Sequence, residues 1–197
     1  MITYTITDTA RQVAKIANTY KIRKHTKGGN YTGLEAEGAY ENGTLGELYF
    51  YKLLKDNGIR STYDFNLTGN ADRGDFMLYH ANKPVMLDVK TACQAFHRMI
   101  MIALAQHDKY QYQIYAGVKL NGDKCEIWGF NRGTENTFIE DYGTPSYCRR
   151  LDELRDIAVI LERADKGTTT VAMRGSEYKP ITVEHATFIN SWFDNPL

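Results

Sequence analysis

Hydrophobic positions along this chain fall into two rhythms, one helical and one alternating. Val13, Ile16 and Ala17 recur at helical spacing and predict a short amphipathic helix over residues 9–20. A stronger helix is predicted from about Thr44 to Asp56, where Gly58 stops it. After that the period shortens. Residues 59–65, 74–79 and 84–90 read as strands, with His80-Ala81-Asn82 as the turn between the last two. Residues 98–103 read as a buried strand, and 104–110 suit a helical turn. Residues 112–120 and 124–130 flank Asn121-Gly122-Asp123, a good hairpin signal. Leu151, Leu154, Ala158 and Leu161 lie on one stripe and predict a further helix over 149–163. The last thirty or so residues show no clear period. Helix, strands and helix in that order predict an α/β or α+β layered fold.

The segment from Lys21 to Gly38 is polar and glycine-rich, and reads as a loop. Arg11, Lys15, Lys21, Arg23, Lys24 and Lys27 precede any acid in this region, and Glu35, Glu37 and Glu41 follow. Overall the charge balances, with 24 basic and 24 acidic residues, so nucleic-acid binding would need a local basic patch. Lys21, Arg23, Lys24 and Lys27 are the candidates for it. Such contacts position a duplex without reading its sequence, and a solvated loop is the competing reading.

At 197 residues the chain suits one domain, and its 43% hydrophobic content is enough for a core. Residues 1–40 are expected to form an N-terminal helix and basic loop, 41–165 the core, and 166–197 an extension packed on it. Cys93, Cys125 and Cys148 form no CxxC pair and no even disulfide set, which fits a reducing cytoplasm. No apolar signal-peptide region opens the chain, and no run approaches the roughly 20 apolar residues that cross a bilayer. The expectation is a cytoplasmic protein without a membrane partner. In that setting the N-x-[ST] triplets at Asn30, Asn42 and Asn66 are chance matches. The five histidines show no zinc-hydrolase or deaminase spacing, and no G-x-S-x-G motif occurs.

Candidate chemistry sits on the two central strands. Side chains alternate along Val85–Lys90, so Asp88 and Lys90 share a face with Met86, while Val85, Leu87 and Val89 point the other way. Asp75, Met77 and Tyr79 share a face of the preceding strand. Paired as a hairpin, these strands set Asp75 across from Asp88 and Lys90. Two carboxylates and an ammonium at one sheet edge can hold Mg²⁺ and act on a phosphodiester. A plain interstrand salt bridge is the alternative. Glu47 shares a helical stripe with Phe50, Tyr51 and Leu54, so a third carboxylate needs a partner. A metal would serve, but Thr44-x-x-Glu47 also reads as a capping box. Thr91 is a further candidate for a phosphate contact. Gln106 and His107 either face the site or lie on a solvated turn. Gly129, in Trp128-Gly129-Phe130, allows another backbone to approach closely.

These residues resemble the PD-(D/E)xK nuclease superfamily, whose members are restriction-endonuclease-like. GTLGELYFYKLL carries Glu47, GDFMLY carries Asp75, and MLDVKTA carries Asp88 and Lys90, over about residues 42–130. The resemblance implies a mixed central β-sheet flanked by helices and a Mg²⁺- or Mn²⁺-dependent phosphodiesterase. In it Asp75, Asp88 and the Val89 carbonyl would be metal ligands, Glu47 an accessory ligand and Lys90 the catalytic lysine. Gly74 stands where the motif has proline. Gln111 and Tyr115 have the Gln-x-x-x-Tyr spacing of RecB-type exonucleases, but fall mostly in a strand. The expectation is a metal-dependent nuclease acting on DNA, most simply an endonuclease, and duplex symmetry is compatible with a homodimer. A non-catalytic DNA-binding or assembly module on the same fold is the first alternative. An unrelated α/β enzyme with an ion-pair network is the second.

Overall fold

In the computed structural model the described residues are 1–25, 34–67, 74–94, 96–104, 107–108, 114–140, 145–175 and 180–196, without the side chains of 21–25 and 34–37. Seven of the strands are β1 (Ile2–Thr5), β2 (Ser61–Asn66), β3 (Phe76–His80), β4 (Lys83–Ala92), β6 (Ile114–Asn121), β7 (Lys124–Arg132) and β10 (Thr169–Arg174). They form one sheet in the order β1-β7-β6-β4-β3-β2-β10. It is mixed: β4 runs parallel to β6 and β10 to β2, while the other pairs are antiparallel. A smaller sheet joins β5 (Met99–Ala103), β9 (Ser146–Arg150) and β8 (Thr137–Ile139) in that order. The described helices are α1 (Asp8–His25), α2 (Leu34–Asp56), α3 (Ala158–Arg163) and α4 (Val183–Asp194). The protein is an α/β molecule with a mixed sheet flanked by helices. None of its described helices is long and apolar enough to cross a membrane.

Alternation along the strands decides which side each layer covers. Phe76, Leu78, Leu87, Val89, Ala116 and Val118 join the residues of α1, α2 and α4 in the main core. Ala92 and Tyr115 point to the opposite face and pack with Ile100, Ile102 and Leu151 in a second cluster. The small sheet therefore covers the side of the central sheet that faces away from α2. Strand β5 alternates between buried Ile100 and Ile102 and exposed Met101, so it is half-buried rather than wholly buried.

The hairpin between β3 and β4 is closed by Ala81 and Asn82, both at positive φ (50° and 61°). Two such residues are what a type I′ turn requires. Neither is glycine, and the strained backbone is held from outside. The N–H groups of Ala81 and Asn82 each donate to the Asp165 carboxylate at 2.8 Å. The Asp165 N–H in turn donates to the Tyr79 carbonyl at 2.7 Å. This clamp fixes the register on which the candidate site depends.

Three expectations are corrected. Residues 149–163 do not form one helix: Arg149 and Arg150 end β9, a 3₁₀ turn spans Leu151–Glu153, and only Ala158–Arg163 is α-helical. Sheet pairing outweighs the helical stripe here. Strand β1 covers β7 only from Lys124 to Ile127, and the open edge beyond it exchanges hydrogen bonds between Phe130 and Arg155 at 2.8 and 3.0 Å. A Cβ on Gly129 would overlap the Arg155 carbonyl, so this glycine does admit a second backbone. One on paired Gly117 would overlap Leu154 Cδ1, and Leu154 fills the slot that the two glycines leave.

Second, α2 begins at Leu34 rather than near Thr44, so Thr44 is a buried mid-helix residue and the Glu47 capping box does not form. Third, α1 runs on to His25, which places Lys21, Arg23 and Lys24 on its last turns instead of in a loop. Their side chains, and Lys27 altogether, lie outside the described residues, as do Gln106 and Gln111.

The terminal segments that gave no clear period contribute β10 at one edge of the sheet and α4. Strand β10 pairs with β2 over six residues. Trp192 and Phe193 of α4 pack on Tyr51, whose hydroxyl donates to the Phe193 carbonyl at 3.1 Å.

Candidate active site

Phe76 pairs with Leu87 in the β3–β4 hairpin, so Asp75, one residue before the strand, lies across from Asp88. Its carboxylate takes over where the ladder stops. Asp75 Oδ2 accepts a hydrogen bond from the Val89 N–H at 2.6 Å. In an extended strand the N–H and C=O of one residue point to the same side, so the Val89 carbonyl also faces Asp75. Both aspartates are buried, Asp75 at 7% and Asp88 at 2% exposure.

Asp88 is neutralised within its own strand. Lys90, two residues on and on the same face, places Nζ 2.5 Å from Asp88 Oδ2. Burying a carboxylate costs several kcal/mol unless a counter-charge is present, and Lys90 supplies it.

Strand register extends this cluster sideways. Asp88 pairs with Tyr115 of β6, and Tyr115 with Asn131 of β7. On the other side Asp64 of β2 donates its N–H to the Asp75 carbonyl at 2.8 Å. A row of polar residues thus crosses one face of the sheet: Asp64, Asp75, Asp88, Tyr115 and Asn131. Asp64 is ion-paired with Arg174 of β10 at 2.6 Å. Sequence reasoning did not single out Asp64 or Asn131, because neither carries a local motif. Alternation along β2 and β7 would have put them on a face, but only the strand order aligns them with Asp75. His107 stacks over Tyr147 at 4.0 Å and lies 6.4 Å from the Tyr115 ring, which brings it to this same side of the sheet.

Glu47 stands on the other side. It accepts a hydrogen bond from the Tyr63 hydroxyl at 2.7 Å, and Tyr63 belongs to the core beneath α2. Among the described residues no group of three His, Cys, Asp or Glu side chains suited to hold a metal ion is found. What brings α2 this close to β4 is Gly46, where a Cβ would overlap Thr91 Oγ1. Thr91 consequently points at α2, away from Lys90, and its buried hydroxyl has no hydrogen-bond partner among the described residues.

This contact has a testable sign. Gly46→Ala gains about 1 kcal/mol of helix propensity but meets Thr91, and overpacking costs about 1–3 kcal/mol. In the wild-type background the variant is expected to lower the melting temperature. Combined with Thr91→Ala it should be neutral or raise it. Equal effects of Gly46→Ala in both backgrounds would show that the two residues do not meet.

Compared with protein-family models and with curated protein sequences, the chain matches none.

Proposed function

We propose that this protein is a divalent-metal-dependent phosphodiesterase that cleaves DNA, built on a restriction-endonuclease-like core of the PD-(D/E)xK kind. The observation that carries this reading is the Asp75 carboxylate anchored on the Val89 N–H, directly across from the Asp88–Lys90 pair. The order of parts supports it as well: an acid on α2, an aspartate at the head of β3, and Asp-x-Lys along β4.

The donor set suits Mg²⁺ or Mn²⁺. Mg²⁺ needs only one or two carboxylates and keeps several positions for water and phosphate oxygen. Asp75, Asp88 and the Val89 carbonyl would hold it. Bound there, the ion would polarise the phosphodiester and lower the pKa of an attacking water. The chain's own residues do the rest. The Val89 N–H holds Asp75 in one orientation. Asp88 keeps the Lys90 ammonium at the reacting face, where it can offset charge that develops on the phosphate. Glu47, tied to Tyr63, would assist from the α2 side. Lys21, Arg23, Lys24 and Lys27 are the proposed contacts to the DNA backbone, and duplex cleavage by a homodimer fits the two-fold symmetry of the substrate.

One observation favours a different reading. The 2.5 Å contact between Asp88 and Lys90 is also what a structural ion pair would show. Purified protein incubated with labelled linear, circular, single-stranded and four-way-junction DNA separates the two. Cleavage of at least one form with Mg²⁺ or Mn²⁺, and none with EDTA, is expected. Binding without cleavage would identify a non-catalytic DNA-binding module. Neither binding nor cleavage of any form would leave the ion pair as the whole role of these residues.

A further inference from the structure

On the α2 side of the sheet, near the closed end of the β3–β4 hairpin, lies a cleft of about 400 Å³ that the phosphodiesterase reading does not use. That volume is within the range of small-molecule sites, roughly 300–1,000 Å³. Its floor is apolar: Leu78, Val85, Ile114 and Phe130 from the sheet, with Ile160 from α3. Every fully charged side chain that lines it is an arginine, namely Arg132, Arg155 and Arg163. Among the described residues one carboxylate, Glu135, answers them. It is ion-paired with Arg155 and accepts from the Arg132 N–H at 3.0 Å; that backbone donor first, and then the Arg155 and Arg132 guanidinium groups, hold its carboxyl below the usual range. Three guanidinium groups against one carboxylate leave two positive charges at the mouth of an apolar hollow.

The walls are tied in place. His80 Nδ1 lies 2.7 Å from the Arg163 carbonyl, which can only accept, so Nδ1 carries the proton and joins the end of β3 to α3. The exchanged backbone bonds of Phe130 and Arg155 join β7 to the segment before α3. A site already formed loses less freedom when it is filled.

We infer that this cleft binds a small amphipathic anion, an apolar body ending in an oxyanion headgroup that the arginines grip. The floor would take the apolar body out of water, and arginine's planar fork matches carboxylate or phosphate oxygens two at a time. The inference stands apart from the phosphodiesterase reading, because Val85 and Ile114 face the side of the sheet opposite Asp88 and Lys90.

The test uses 8-anilinonaphthalene-1-sulfonate, an aromatic body with one anionic group, titrated into the full chain and followed by fluorescence. One saturable site is expected. Decanoate and decyl phosphate should displace the dye, and decyltrimethylammonium should not. In the Arg132→Gln/Arg163→Gln protein, whose changes are at exposed positions, dye affinity should fall by at least about tenfold with the melting temperature unchanged. Val159→Trp, at the half-buried wall of the cleft, should remove binding by filling it. Absence of a saturable site, equal competition by the alkylammonium, or unchanged affinity in the double arginine variant would overturn the inference.

Discussion

In a Lys90→Ala protein, Mg²⁺-dependent DNA cleavage is expected to fall by about 10²–10³-fold. The fold is expected to weaken by about 3–5 kcal/mol until Mg²⁺ is added. The two effects have one cause. The Asp88 side chain is 3% exposed and its ammonium partner 17%. Without that partner the carboxylate sits where water cannot solvate it, and breaking a buried pair costs far more than the pair itself contributes. On the proposed function, a divalent cation held by Asp75 and Asp88 would replace the missing charge. At a hundredfold excess over its dissociation constant it restores about 2.7 kcal/mol, since a ligand that binds only the folded state stabilises by mass action.

Asparagine variants separate charge from shape at the same place. Asp75→Asn keeps an oxygen to accept from the Val89 N–H, so the fold should hold while Mg²⁺ no longer raises the melting temperature. Asp88→Asn should lose both cleavage and the Mg²⁺ effect. Thermal melts of the three proteins with and without Mg²⁺ give the answer without relying on a chosen substrate. A Lys90→Ala protein that is destabilised yet indifferent to Mg²⁺ would reduce Asp88–Lys90 to a structural ion pair, and the proposed chemistry would lose its centre.

The second large effect lies one residue from Asp75. Phe76 stacks on Tyr63 with ring centroids 4.6 Å apart and planes 11° apart, and meets Phe50 edge-on at 5.2 Å. It is fully buried. Phe76→Ala removes a ring from the centre of this aromatic cluster, and such changes cost about 3–5 kcal/mol. A domain's whole stability is about 5–15 kcal/mol, and each kcal/mol moves the melting temperature by roughly 2–4 °C at this size. A fall of roughly 6–20 °C is therefore expected by calorimetry. Any cleavage activity should fall with it, because Phe76 sets the start of β3 and hence the position of Asp75. A drop of less than about 3 °C would mean that the cluster closes over the gap and that Phe76 does not hold the site.

Both predictions rest on a part of the molecule that was plain in the amino-acid order. The alternation along Val85–Lys90 put Asp88 and Lys90 on one face, and the turn signal between Tyr79 and Lys83 set Asp75 opposite. The structure has that register. Such features are legible because a two-residue turn and the alternation of a strand depend only on neighbouring residues. Less legible was the neighbourhood of Glu47. Thr44-x-x-Glu47 has the form of a helix start, yet α2 begins ten residues earlier and the glutamate meets Tyr63 instead. The stripe from Leu151 to Leu161 failed in the same way. Leu154 was drawn into a slot left by Gly117 and Gly129, and the backbone at Arg155 into pairing with Phe130.

The chain by itself determined where its strands alternate, which residues its central hairpin opposes and which face carries its acids. Those outcomes are governed by contacts between near neighbours. Only the tertiary structure decided that Asp64, Tyr115 and Asn131 continue the row begun by Asp75 and Asp88. It alone decided that β10 would pair with β2 across the sheet, that Thr91 would turn toward Gly46, and that three arginines would gather at one apolar cleft. Each of these joins segments far apart in sequence. Whether they meet depends on the order in which strands lie side by side, and no local pattern of hydrophobic and polar residues encodes that order.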